Sequence, residues 1–294
     1  MPGFMLGLSL LPMAVIAVLL AVLLWVGFTK GLAGTSTLSY TLQNYTDLFG
    51  DPFFYTVLLN TLEFAAVTVM VALCIGLPIG WLVERTTLHG KTAVYCIMTI
   101  GLLVPGIYTA MGWTFIGHPR IGLLNQWLEQ LFNLDNPPID VATPAGMGFV
   151  QGLSLASLGF ILSAQMFRAM NPSLEEAARV HGMKLHKTLW KVTLPLALPG
   201  ILAAVIYILT IALATFDIPA VLGLGNRVYM LSTHVYDLLH PPGEGTPRYG
   251  ISAALGAMMI VVAIGLTVWY AQVLRQSNRY QVITGKGYRP TLIG

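Results

Sequence analysis

Six stretches of this chain are apolar for long enough to cross a bilayer, and they constrain the fold more tightly than any other feature. They cover residues 6–28, 55–83, 93–117, 146–167, 196–222 and 249–274, and a spanning helix needs about 20 mostly apolar residues. Only 9% of the residues are charged and 56% are hydrophobic, where a soluble domain has roughly 25% charged. In hydrocarbon each backbone N–H and C=O must find its partner inside the structure, so such segments become helices and open sheets are excluded. The expected fold is an all-α membrane protein with about six spans. It forms one transmembrane domain over residues 1–294, with a core at about 55–275, a polar loop at 168–195 and a polar tail or linker at 276–294.

Lysine and arginine orient these spans. With the N-terminus inside the cell, the inner segments hold Arg85, Lys91, Arg168, Arg179, Lys184, Lys187, Lys191, Arg275, Arg279, Lys286 and Arg289. The outer segments hold only Lys30, Arg120, Arg227 and Arg248, so eleven of the fifteen basic residues lie inside. That bias is the one expected of short loops, and it places both termini in the cytoplasm. Asp47, Asp51, Glu129, Asp135, Asp140, Asp237 and Glu244 fall outside. The net charge of +3 is therefore a topology signal that points to lipid headgroups as a partner and not to nucleic acid. The first apolar run lacks a basic leader and a small-x-small cleavage site, which favours a retained helix over a signal peptide. Cys74 and Cys96 have no metal-ligand spacing and read as small apolar core residues.

Two outer loops have substance. In the first, residues 123–132 have the apolar spacing of a short interfacial helix, broken by Asn136-Pro137-Pro138. The second, 223–248, ends in the turn-rich run His240-Pro241-Pro242-Gly243-Glu244-Gly245. His118, His234 and His240 lie in these loops without paired spacing and read as solvent-exposed, so no metal site is expected. Glu63 and Asp217 fall within spans, where an ionisable group marks a translocation path by default. The competing assignments are a hydrogen bond to a neighbouring helix for Glu63 and a cap or kink before Pro219 for Asp217. Gly101, Pro105, Gly106 and Gly112 interrupt the third span, permitting either a bend or close helix packing.

The most distinctive polar segment lies between the fourth and fifth spans. Ser173 with Glu176 three residues on fits a capping box. A short helix then runs to His181, and Gly182 can adopt the left-handed conformation that ends it. A second short helix is expected over 184–191, with Pro195 and Pro199 opening the fifth span. The product is a helical hairpin on the cytoplasmic face. An amphipathic loop resting on lipid would account for each residue singly. The spacing of the whole says more: Glu176-Ala177-Ala178, three residues, Gly182, nine residues, then Val192-Thr193-Leu194-Pro195.

That pattern resembles the signature of the permease subunits of binding-protein-dependent ABC importers, with Val192 where isoleucine is usual. Residues 174–182, the run from Phe216 to Gly223, Leu231-Ser232-Thr233 before Tyr236, and the tail from Tyr280 to Pro290 are similar to the ferric-iron branch. Members of that branch join two six-helix halves in one polypeptide. This chain resembles one half, as a piece of a longer protein or as a unit that pairs with a second copy. The resemblance implies that Glu175, Glu176, Ala177, Ala178, Arg179, Gly182, Leu194 and Pro195 dock a separate ATP-binding subunit. It also implies a periplasmic binding protein, with selectivity residing mainly there. For a ferric cargo, the oxygens of Glu63, Asp217, Tyr108 and Tyr229 are conceivable wayside contacts. Thiamine, polyamine, aminoethylphosphonate and sulfate-like anions are the alternative cargoes.

The chain has no phosphate-binding loop of its own. That loop needs a glycine, four residues, then Gly-Lys-Ser/Thr; Gly90-Lys91-Thr92 has Arg85 at the glycine position, and Gly285-Lys286 has Tyr280 there. The chain is thus not expected to be an enzyme or to bind a cofactor, with ATP and magnesium on the partner subunit. The rival classes are an ATP-independent secondary transporter or channel and a structural membrane subunit. The former predicts charged relays in matching repeats, and no repeat is visible.

Overall fold

The computed structural model describes residues 2–31, 38–241, 243 and 245–280. The expected tail or linker beyond 280 lies outside these residues, as do Pro242 and Glu244 of the outer-loop run. The helices are α1 (Pro2–Gly27), α2 (Gln43–Gly50), α3 (Pro52–Arg85), α4 (Lys91–Gly101), α5 (Gly106–Gly117), α6 (Leu123–Phe132), α7 (Pro144–Ala169), α8 (Ser173–Val180), α9 (Leu185–Thr188), α10 (Leu194–Ala214), α11 (Asp217–Leu222), α12 (Leu231–Leu239) and α13 (Tyr249–Tyr280). Five of the spans are long apolar helices, and the bent pair α4–α5 makes a sixth if counted as one. The all-α membrane fold is therefore observed. A two-residue antiparallel pairing, Thr29↔Tyr40 and Lys30↔Ser39, is its only β structure among the described residues.

The described residues group into two compact units, those within 1–59 and 229–264, and those within 60–228 and 265–294. In the first, Leu48, Phe54, Val57, Leu231, Leu238, Ala254 and Leu255 form the core. Buried Asn44 donates to the Gly27 and Thr29 carbonyls, each at 2.9 Å, and so satisfies the open end of α1. Helix α12 was missed in the sequence, where 223–248 reads as a loop. Met230 precedes it, and the Met230 N–H donates to the Thr233 hydroxyl at 2.8 Å.

In the second unit, α3 and α7 pack along small residues. A Cβ at Gly148 would meet the Phe64 carbonyl at 2.7 Å, one at Gly152 the Thr68 carbonyl at 2.9 Å, and one at Gly159 the Ala72 carbonyl at 2.8 Å. Helices in lipid gain no hydrophobic drive toward each other, so close backbone approach through small residues supplies the attraction. Val83, Phe160 and Ala164 extend this seam.

Three expectations need correction. The third span is not one helix: α4 and α5 meet at 93° across a short break. Pro105, extended at φ −60° and ψ 140°, starts α5 and has no N–H with which to continue α4. The fifth span stops at Ala214, and Asp217 begins a separate helix, α11. Cys74 and Cys96 are exposed on their helices and are not core residues.

Candidate functional site: the cytoplasmic hairpin

Helix α8 begins without the expected capping box. Ser173 is its first residue, and its N–H donates to the Asn171 side chain at 3.0 Å. An asparagine oxygen two residues back closes the turn, so the Ser173 hydroxyl is not needed. The far end follows expectation: Gly182 sits at φ +75°. Its N–H donates to the Arg179 carbonyl at 2.9 Å, and the Met183 N–H to the Ala178 carbonyl at 3.0 Å. This double closure with a left-handed glycine is a Schellman motif. A Cβ on Gly182 would meet nothing within 4 Å, so the demand for glycine here is conformational and not steric.

The return arm is not an isolated helix over 184–191. From Leu185 to Ala214 the chain is one rod, with a π-helical segment, Leu189–Thr193, between α9 and α10. The proline ring of Pro195 crowds the carbonyl four residues back, and the turn ahead of it widens in response. The hairpin's second arm is thereby mechanically continuous with a spanning helix.

The two carboxylates of the hairpin face differently. Glu175 is 5% exposed; one oxygen accepts from the Thr193 hydroxyl at 2.9 Å, and the other lies 3.8 Å from Arg85 Nη1. Arg85 is 4% exposed and also donates through Nη2 to the Met170 carbonyl at 3.0 Å. One guanidinium and one carboxylate thus tie together the end of α3, the end of α7, helix α8 and the foot of α10. Glu176 is half-buried on the next face. Beside this clamp, Arg168 forms a fork on Glu84, with Nη2 at 2.8 Å and Nε at 3.3 Å, while the Tyr95 hydroxyl donates to the same carboxylate. The Arg168 side chain is 66% exposed, so solvent screens much of that pair.

Of the other docking candidates, Ala177 and Gly182 are exposed, and Ala178 is buried. Arg179 is half-buried with its Nε enclosed and without a hydrogen-bond partner. Pro195 is exposed and Leu194 half-buried. Leu174, Lys191 and Pro195 line an apolar groove of about 550 Å³. The solvent-facing surface is completed by Val180 and Trp190, 86% and 70% exposed, with Lys184 and Lys187 between them. Arg85 and Thr193 were not singled out in the sequence as site residues. The adjacent charges Glu84-Arg85 at the foot of a span were the available signal.

Of the path candidates, Glu63 and Asp217 lie on different helices. Glu63 is exposed on α3, and Asp217 is half-buried in the first turn of α11. A Cβ at Gly106 would collide with the Asp217 carboxylate, which therefore sits against the N-terminal turn of α5. The open N–H groups and helix dipole there favour a negative charge. Tyr108 is exposed, and Tyr229, in the other unit, packs edge-on to Phe53. His234 is buried, correcting its assignment as a solvent-exposed loop residue. His240 stacks on Tyr236 at 4.3 Å.

The family model described as "Binding-protein-dependent transport system inner membrane component" matches residues 76–279. The spermidine/putrescine transport system permease protein of Escherichia coli is 24% identical over 230 residues, covering 76% of this chain and 81% of the relative. The trehalose/maltose transport system permease protein of Thermococcus litoralis is 24% identical over 286 residues, 93% of each chain. A chain in the crystal structure of a bacterial alginate ABC transporter, in complex with a periplasmic protein bound to an alginate pentasaccharide, superposes with a TM-score of 0.72 at 19% identity. That match covers 95% of this chain and 96% of the other. With the family model spanning the α8–α10 hairpin and most of the spans, this chain belongs to the inner membrane components of binding-protein-dependent transport systems, the permease subunits of ABC importers.

Proposed function

We propose that ATP-driven closure of separate nucleotide-binding subunits enters this permease through the hairpin at 173–195. The observation that carries this reading is the buried Arg85–Glu175–Thr193 clamp. An exposed surface that merely touched lipid would need no such anchor, whereas a lever must be fixed to what it moves. Gly182 and Ala177 present the outer corner, and Glu175 fixes α8 to α3 and α10. The rod from Leu185 carries displacement into the fifth span, which supports rigid-body switching between inward and outward states. Magnesium and ATP belong to the partner. A second six-span unit, of the same or a homologous chain, completes the permease. The charge bias supports cytoplasmic termini, with the binding protein delivering cargo from the opposite side.

For the cargo, the similarity of residues 174–182 and 216–223 to the ferric-iron branch favours ferric iron. A polyamine is the second reading, supported by likeness to the Escherichia coli spermidine/putrescine permease over 76% of the chain. The test is reconstitution in proteoliposomes with the ATPase and binding protein. Uptake of radiolabelled ferric iron and of radiolabelled spermidine is measured side by side. Iron uptake that requires ATP establishes the first reading, spermidine uptake the second. ATP hydrolysis that ignores the loaded binding protein overturns the coupling reading itself.

A further inference from the structure

A pocket of about 560 Å³ opens in the first unit, lined by Asp47, Asp51, Phe53, His234, Asp237 and Arg248 among others. Its position follows from local folding. Asp47 lies on α2, Asp51 joins α2 to α3, His234 and Asp237 lie on α12, and Arg248 precedes α13. Asp51 accepts from the Phe53 N–H at 2.9 Å and so is partly used in starting α3. Asp47 and Asp237 have no side-chain hydrogen bond, and no ion pair joins Arg248 to any of the three carboxylates, among the described residues.

The pocket wall contains a second anomaly. His234 is 6% exposed, yet its Nδ1 has no hydrogen-bond partner. Its ring is held edge-on by Phe53 at 5.3 Å and Tyr229 at 6.4 Å. A buried polar atom left open costs about 1–3 kcal/mol, which an occupant supplying a donor would relieve.

The chemistry of the lining selects the occupant. Three carboxylates against one guanidinium disfavour anions, and a neutral sugar draws no benefit from the excess charge. No group of three carboxylate, histidine or cysteine side chains among the described residues converges closely enough to hold a metal ion. Acceptors spread around a small-molecule-sized cavity instead suit a cation whose donors are spread likewise. An ammonium offers three N–H donors. The Phe53 ring, 40% exposed in the lining, adds a face that attracts such a group.

We propose that this pocket binds a protonated aliphatic diamine or polyamine, with its ammonium groups on Asp47 and Asp237 and an N–H donated to His234 Nδ1. The inference concerns binding by this chain itself and does not rest on the importer's cargo or on its coupling.

The test is isothermal titration calorimetry on the full chain in zwitterionic nanodiscs, with putrescine and spermidine as probes and empty nanodiscs as the blank. Saturable binding is expected, weakened at least ten-fold in each of Asp47→Asn and Asp237→Asn. Butane-1,4-diol and n-butylamine, which lack both or one of the spaced charges, should bind at least ten-fold more weakly than putrescine. No saturable heat with either amine overturns the proposal, as does binding that both variants leave intact. n-Butylamine binding as tightly as putrescine also overturns it. Asp47 is exposed on α2, so its variant keeps the test readable if the Asp237 change disturbs α12.

Discussion

Arg85 and Glu175 form an ion pair at 3.8 Å with both residues almost fully buried, and it fastens the cytoplasmic hairpin to the foot of α3. Removing one partner of a buried pair leaves an uncompensated charge and costs about 3–5 kcal/mol, while replacing both is far milder. Arg85→Met should therefore lower the thermal midpoint by several degrees and abolish ATP-driven uptake. The double variant Arg85→Met/Glu175→Gln should regain most of the stability but not the coupling, because the clamp on the Met170 carbonyl is also gone. Thermal denaturation in nanodiscs and proteoliposome uptake, read together, check this; uptake restored in the double variant would refute the lever.

Gly182 separates conformation from contact. Its φ of +75° costs a residue with a Cβ about 1–2 kcal/mol, yet the space around it is open. Gly182→Asn, which tolerates the left-handed region, should keep near-normal stability and retain part of the uptake. Gly182→Asp should fold with the same helical content but lose stimulation of the partner's ATPase. Circular dichroism and ATPase assays of the assembled complex decide; full stimulation with aspartate would show that this corner faces no partner.

The α3–α7 seam predicts a sharp contrast between two glycines. A Cβ at Gly76 runs into the Gly159 and Phe160 backbone, whereas Gly112 has nothing within 4 Å. Backbone cannot yield as a side-chain tip does, and overpacking costs typically about 1–3 kcal/mol, sometimes more. Gly76→Ala should reduce the yield of folded protein and its thermal midpoint, with Gly112→Ala close to wild type. Comparable midpoints in the two variants would disprove the seam.

Asp217 should act on the α4–α5 bend. A carboxylate at a helix N-terminus contributes about 0.3–1 kcal/mol. Asp217→Asn should thus lower the midpoint slightly and leave the KM for uptake unchanged. Glu63→Gln, on an exposed face of α3, should leave the midpoint unchanged. A KM raised ten-fold in either variant would instead place that residue on the cargo path.

His234 gives the first unit a pH dependence. Burial pushes its pKa below the ordinary value; Asp237 and Asp51 pull it back up, and Arg248 pushes it down. The folded unit therefore binds fewer protons than the unfolded chain, whose histidines titrate near about 6.5. Its contribution to stability is complete above that value and is lost as pH falls through it toward the depressed folded pKa. The midpoint should fall between pH 7.5 and pH 5.5, and His234→Gln should flatten that dependence. An unchanged slope in the variant would assign the effect elsewhere.

Much of the architecture was legible in the sequence because apolar length and backbone satisfaction act segment by segment. The spans around 55–83, 146–167 and 249–274 needed no knowledge of their neighbours. Gly182 was legible for a similar reason, since the left-handed close of α8 uses hydrogen bonds within six residues. Helix α12 was hidden because Ser232, Thr233, His234 and Asp237 dilute its apolar face to the look of a loop. The capping box failed because Asn171, two residues before Ser173, closed the turn first.

The sequence alone determined that the chain crosses a membrane as helices, that a polar hairpin interrupts them, and that this hairpin carries the spacing of an importer permease. Tertiary structure decided which member of the Glu175-Glu176 pair is an anchor. Successive residues on a helix point about 100° apart, so the two carboxylates cannot share one direction. The inward one is the residue that meets Arg85 from the foot of α3 and Thr193 from the rod. No local signal distinguishes the two glutamates, because the groups that select between them lie in other helices and meet α8 only once the spans have packed.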